Sequence, residues 1–288
     1  TIALLGNTEK LTTATFPTID NEGEITVAGN TKLVATTINN KNEASIEVSA
    51  KGAGEKDVNG ALQATTINNA AAVTGDDPKD AGSIVVAGDV ASTTIENAGD
   101  LAWTGAIAST VTINNDGEFT MNAGTISGKV VNDNVMTIAT GVVVDAVDAT
   151  ITNNKTVTNK GTFTLLGSTK FANNGLVDDL NTMSGLSRIT NATGAEVIRL
   201  VNGVTNLKPA LNETNITGVR IAFATPAVGE EVALSTTKTF YLASDLTFDV
   251  AVSQTIGKIV FEGDYSLTGV ITTDAIEVKG DATIAETS

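Results

Sequence analysis

Side chains able to do chemistry are scarce in this chain, and most of them are carboxylates. Three close pairs stand out: Asp76 with Asp77, Asp145 with Asp148, and Asp178 with Asp179. Two carboxylates at a fixed separation are the minimum for glycoside hydrolysis, one as acid and one as base or nucleophile. The same groups are hard oxygen donors, so Asp145, Asp148, Asp178 and Asp179 are also the candidate calcium ligands. No EF-hand loop surrounds them, and acid pairs of this kind are more often solvated turns. Sugar clefts usually carry aromatic platforms, yet the chain has one Trp and two Tyr. The expectation is therefore no catalytic residue and no cofactor, with calcium the one ion that suits the acids.

Other chemistries are excluded outright. There is no His and no Cys, so zinc sites, thiol nucleophiles and His-based triads are absent. The 17 Lys+Arg against 33 Asp+Glu give a formal charge of −16, which argues against nucleic acid as a partner. The acidity suits a soluble particle, or a surface bridged by divalent cations; plain solubility is the preferred reading. No apolar run approaches the roughly 18 residues of a membrane span. The chain opens at Thr1 with neither Met nor signal peptide, which reads as a processed or trimmed form.

The residues that recur are asparagines. An apolar residue followed by Asn at +2 begins copies at Ile19, Ile38, Ile67, Ile95, Ile113, Val130, Ile151, Phe171 and Ile189. The asparagines are Asn21, Asn40, Asn69, Asn97, Asn115, Asn132, Asn153, Asn173 and Asn191, in steps of 19, 29, 28, 18, 17, 21, 20 and 18. Position +6 is apolar in every copy: Ile25, Ala44, Val73, Leu101, Phe119, Met136, Val157, Val177 and Ala195. With 41% apolar residues overall, chance gives that outcome about 3 times in 10,000. The two long steps contain polar, Gly-rich insertions at 51–60 and 75–82. A second outline, as in IVFEGDYSL (259–267) and IEVKGDATI (276–284), carries the repeat toward the C-terminus and also matches IALLGN at the N-terminus. The period is regular over 1–200 and blurred over 201–288, read as one continuous unit.

Apolar and polar residues alternate over three to five positions, which is the strand period. A unit of 17–21 residues cannot bury its own apolar face, so coils must stack. The fold class is all-β: a parallel β-helix or solenoid with about three short strands per coil. Right-handed coiling is expected from the chirality of crossover connections. Some 13–15 coils at about 4.8 Å each would make a rod roughly 60–70 Å long. Stacked in register, the nine asparagines form a ladder of amides that satisfy one another. The Gly at +4 is expected to supply positive φ in the following turn. Trp103 falls where Val27, Met121 and Ile138 stand in other copies, a core position. A Thr column at Thr37, Thr66, Thr94, Thr112 and Thr150 breaks at Lys170 and Arg188 and reads as ordinary strand surface.

The outline in IDNEGEITVAG (19–29) and INNDGEFTMNAG (113–124) resembles the repeats of parallel β-helix proteins of microbial surfaces: adhesin passengers, surface-layer proteins and fibre-forming repeat proteins. The resemblance covers most of the chain and is generic. It implies an exported protein, extracellular or at the cell surface, with a structural or adhesive role.

Neither end shows a cap. The chain opens in a strand outline and closes in the same outline, which exposes strand edges around Ile2, Leu4, Leu5, Ile276, Val278 and Ile284. Matching edges of opposite ends make a heterologous, open-ended contact. The expectation is a non-enzymatic homopolymer, joined head-to-tail or by strand donation from the N-terminal segment. The alternative is a secreted module that binds or cleaves carbohydrate, with surface glycans as partner. Four glycosylation sequons occur, and Asn212 and Asn215 are preferred over Asn154 and the ladder position Asn191.

Overall fold

The computed structural model describes residues 2–4, 12–51, 58–74, 79–202, 207–213, 215–222, 227–228, 235–248 and 252–285. It is 65% strand and 3% helix, a parallel β-solenoid of about 12 turns with three strands per coil. At about 4.8 Å per coil the rod is roughly 58 Å long. The chain completes about 12 turns rather than 13–15.

Three faces run along the rod. The ladder face stacks Thr12–Asn21, Thr31–Asn40, Ala61–Asn69, Asp89–Asn97, Thr112–Asn115, Lys129–Asn132, Thr150–Asn153, Lys170–Asn173 and Ile189–Asn191, all parallel. The second face begins with Ile2–Leu4 on Glu24–Val27 and continues to Gln254–Phe261 and Ile271–Val278. The third face uses the first halves of the long ladder strands, then the second halves of Asp100–Ile107 and Glu118–Ile126, then Val143–Val147, Thr162–Leu166 and Thr182–Ser184. It resumes in the short strands Ala227–Val228, Leu246–Thr247, Tyr265–Thr268 and Ala282–Ala285. The 17-residue offset near the C-terminus is the strand register itself, with Ile259 beside Ile276 and Leu267 beside Ile284.

Burial alternates along most strands before residue 195, so inward side chains form columns. One continuous core runs from Ile19 to Leu267. On the second face the column is Ile25, Ile46, Ile84, Leu101, Phe119, Met136, Val157, Val177 and Val197. Three of the nine apolar +6 residues are therefore not in that column. Val73 is 44% exposed and belongs to an excursion, bridged antiparallel to Lys79, and Ile84 holds the core place. Ala44 and Ala195 are buried in turns, two residues before Ile46 and Val197.

The glycines of the Asn-x-Gly outline also differ from expectation. Gly117 is not among the residues with positive φ. A Cβ there would lie 2.2 Å from the carbonyl oxygen of Gly99, so glycine is required because neighbouring coils approach backbone to backbone at this corner. Positive φ occurs at other corners. Gly124 has φ +114, and a Cβ would sit 1.9 Å from the Gly105 oxygen. The Thr column is interrupted earlier than the sequence spacing implied, because Lys129 lies between Thr112 and Thr150. The only helices among the described residues are a short one at Lys208–Asn212 and a 3-10 turn at Leu186–Arg188.

Two glycine variants separate strain from crowding. Gly141 also has positive φ, +73, but nothing lies within 4 Å of its added Cβ. Gly141→Ala should lose about 1 kcal/mol, the left-handed penalty alone. Gly124→Ala adds a backbone clash and should lose more than about 3 kcal/mol. Urea unfolding midpoints of the two variants check this, and equal losses would contradict it.

Candidate functional site

The nine asparagines lie at the corner between the ladder face and the second face, and all but Asn191 are buried. Each Nδ2 donates to the Oδ1 of the next, at 2.7, 2.8, 2.8, 2.7, 2.8, 2.8, 2.9 and 2.9 Å from Asn21 to Asn191. The second amide proton goes to a backbone carbonyl of the next coil, as from Asn132 to Thr156 at 2.8 Å. Asn191 ends the run by donating to the Asn215 carbonyl at 2.9 Å. Asn215 has φ 67 and closes the corner by donating to the carbonyls of Ile189 at 2.8 Å and Leu186 at 2.9 Å. The ladder is thus saturated by protein groups and offers little to a ligand.

The column has neighbours that the spacing argument missed. Outside it runs an exposed row in which Asn68 donates to Asn39 at 2.8 Å and Asn39 to Asp20 at 2.7 Å. Asn174 donates to Asn154 at 2.7 Å and Asn154 to Asp133 at 2.6 Å. The available signal was the doubled Asn at 39–40, 68–69, 114–115, 153–154 and 173–174. A second inner run sits at the next corner, where Asn159 donates to Asp179 at 2.7 Å. The Asn-x-Gly outline recurs there in VTNKGTFTL (157–165): Asn-x-Gly marks a corner, and one coil can carry two.

The four candidate acids do not form a site. Asp178 and Asp179 are adjacent in sequence but point to opposite sides of one strand. Asp179 is buried and receives Asn159, the Met183 N–H at 3.1 Å and Arg199 Nε at 3.0 Å. Arg199 also pairs with Glu213, at 2.5 and 2.6 Å. Asp178 pairs outside with Arg220, which holds Glu262 at 2.8 and 3.1 Å. Beside them the Tyr241 hydroxyl donates to Glu196 at 2.6 Å, and burial together with that bond pushes its pKa up. Asp148 accepts from the Ser168 N–H at 2.7 Å and its hydroxyl at 2.8 Å, which pulls its pKa below the usual carboxylate range. Asp145 stands on the third face between Thr125 and Thr164. Asp76 and Asp77 lie outside the described residues. Among the described residues no three acids gather around a possible metal position.

Trp103 is fully buried between Val86 and Met121, so it cannot serve as a sugar platform. Surface clefts of about 310, 420 and 340 Å³ have no aromatic lining. Of the sequons, Asn215 spends its amide on two carbonyls, whereas Asn212 is exposed at the end of the short helix. No described helix is long and apolar enough to cross a membrane.

The C-terminal end is different in kind. Ile276, Val278 and Ile284 are 46%, 48% and 56% exposed. Their register partners one coil earlier, Ile259, Phe261 and Leu267, are buried. They occupy core columns with no described coil above them. At the other end Ile2 is partly buried and Phe16 is 40% exposed, while Leu5 lies outside the described residues.

Two measurements probe these assignments. Asn132→Ala removes two N–H donors and strands the Asn115 amide, so it should lose about 3–5 kcal/mol; Asn21→Ala strands the Gly23 N–H but, among the described residues, no ladder amide, and should lose about 1–2 kcal/mol. Denaturant midpoints report both, and equal losses would mean that the ladder does not act as a chain. For Asp148 the sign follows from a lowered folded-state pKa: its stabilisation is present above the ordinary carboxylate pKa and is lost as pH falls through the lowered one. Asp148→Asn should lower the melting temperature at neutral pH, and the difference should vanish in acid.

Scans against protein families, curated proteins and solved structures find no match to this chain.

Proposed function

We propose that the chain is a non-enzymatic structural subunit of an extracellular filament or surface array, joined to its neighbours through the ends of the solenoid. The observation that carries this reading is the exposed apolar edge of the last described coil. Three large apolar side chains in core columns are about half exposed there, and an uncovered strand edge is a template for pairing. The interior supports the same reading. Its asparagine amides are used up in holding coils together, and Asp179, Asp178 and Asp148 are paired with Arg199, Arg220 and Ser168. The resemblance to microbial surface repeats supplies the extracellular setting.

Electron microscopy of the purified chain, with and without a calcium chelator, tests the proposal. The expected result is uniform filaments with an axial repeat near the ~4.8 Å strand spacing. Val278→Lys, placed at the open end, should abolish them and leave the far-ultraviolet circular dichroism unchanged. Isolated rods under every condition would overturn the filament reading and favour a carbohydrate-directed module. Loss of filaments in chelator alone would add a bridging cation to the joint.

A further inference from the structure

We infer that Arg220 and Tyr241 form an external clasp that binds five successive coils into one cooperative unit, in the part of the rod where the asparagine ladder stops.

The sequence marks the handover. None of residues 216–288 is Asn, so the amide column that closes at Asn215 cannot continue through them. The last strand of the ladder face among the described residues is Ile189–Asn191. The second face runs on through five paired strands: Leu176–Asp179, Glu196–Asn202, Gly218–Ala222, Ser235–Leu242 and Gln254–Phe261.

The outer side of these strands carries an apolar layer of its own. Arg220, Tyr241 and Val260 are register partners. Each is flanked in its strand by two residues of the main core, Val219 and Ile221, Phe240 and Leu242, or Ile259 and Phe261, so all three point outward. Yet Ile198, Tyr241 and Val260 are buried, in a cluster separate from the main core, with Leu176 packed against it. A Cβ on Gly218 would lie 2.8 Å from Tyr241 Cε2, so the ring lies back across the neighbouring strand. Its hydroxyl reaches Glu196, two strands back, at 2.6 Å. Arg220 stands on the central strand. It reaches Asp178 two strands back, and Glu262, directly after Phe261 two strands on, at 2.8 and 3.1 Å. Arg220, Asp178 and Glu262 are only 17%, 17% and 21% exposed, so salt screens these pairs less than pairs on an open face.

Reach is what sets this network apart. Coils of a solenoid contact only their neighbours, so they can open one at a time. The ladder obeys that rule, because each amide ends at the next coil. The clasp spans strands about 9.6 Å apart, in both directions from Arg220 and backward from Tyr241. Each of the five coils therefore holds one partner two levels away, and none leaves without breaking that bond. Such longer couplings turn separate openings into one cooperative opening.

Hydrogen exchange of the full chain, read by mass spectrometry, tests the clasp. Asp178 and Glu262 are four strands apart, about 19 Å, a separation at which two substitutions ordinarily act independently. Asp178→Asn, Glu262→Gln and the double variant are compared by the opening constant of the Ser235–Leu242 amides. The double variant should depart from the product of the single-variant factors by more than about threefold. In an Arg220→Lys background the departure should vanish, because an ammonium is a point charge that cannot fork between two carboxylates. The strands Glu196–Asn202 and Gln254–Phe261 should share one opening constant in the native chain and have two in Arg220→Lys, while Thr150–Asn153 in the ladder is unchanged. Independent effects of the two carboxylates in the native background, or separate opening of the two strands there, would overturn the inference. So would a departure that persists in Arg220→Lys, since the coupling would then not pass through the guanidinium.

Discussion

Parallel stacking in register places each residue on its own counterpart, so every column must tolerate itself. Apolar columns do so by packing. A buried polar column can do so only if its side chain both donates and accepts, and the amide of asparagine is the compact group that does. A column of buried carboxylates or ammonium groups would repel along its length. Where an acid does enter the interior, at Asp179, the level before supplies the Asn159 amide and the level after supplies Arg199. On the surface the constraint relaxes. Lys129 and Lys170 are separated by Thr150, yet Asp100 lies directly beside Glu118. Trp103 shows the limit inside: its indole N–H is buried with no partner, because Val86 below and Met121 above offer none.

Inner and outer amide rows run in opposite directions. The buried ladder donates toward the C-terminus, from Asn21 through Asn191. The exposed row donates toward the N-terminus, as in Asn68 to Asn39 to Asp20 and Asn114 to Glu96. Aligned amide dipoles would otherwise add along the rod, as peptide dipoles add along a helix. Two opposed rows, one coil-edge apart, offset one another.

Much of this was legible because the constraint acts on sequence. A column that must match itself writes the same residue type at a regular interval, and the asparagines at +2 carry that signal through nine levels. Ile259 and Ile276, or Leu267 and Ile284, were likewise readable from a shared outline. Position +6 was less secure: Val73, Ala44 and Ala195 satisfied the pattern by composition while Ile84, Ile46 and Val197 held the core. A fixed offset fails wherever a turn lengthens. The glycines were assigned the wrong cause, because crowding between coils is a contact across about 20 residues and leaves no local mark. The charged cluster around Arg199 and Arg220 was invisible for the same reason; Arg220 and Glu262 are 42 residues apart in sequence.

In each of the two long coils the described residues on either side of the insertion meet. One excursion is closed by the Gly60 N–H on the Ser49 carbonyl at 2.9 Å, the other by the Gly82 N–H on the Ala70 carbonyl at 2.9 Å. Each is a handle whose two feet are already fastened. Lengthening such a handle costs only loop-closure entropy, about 0.6 kcal/mol per doubling. The scaffold beneath is indifferent to what the handle carries. A rod of this design can therefore diversify its display at two addresses, on different corners and adjacent levels, without disturbing a single column.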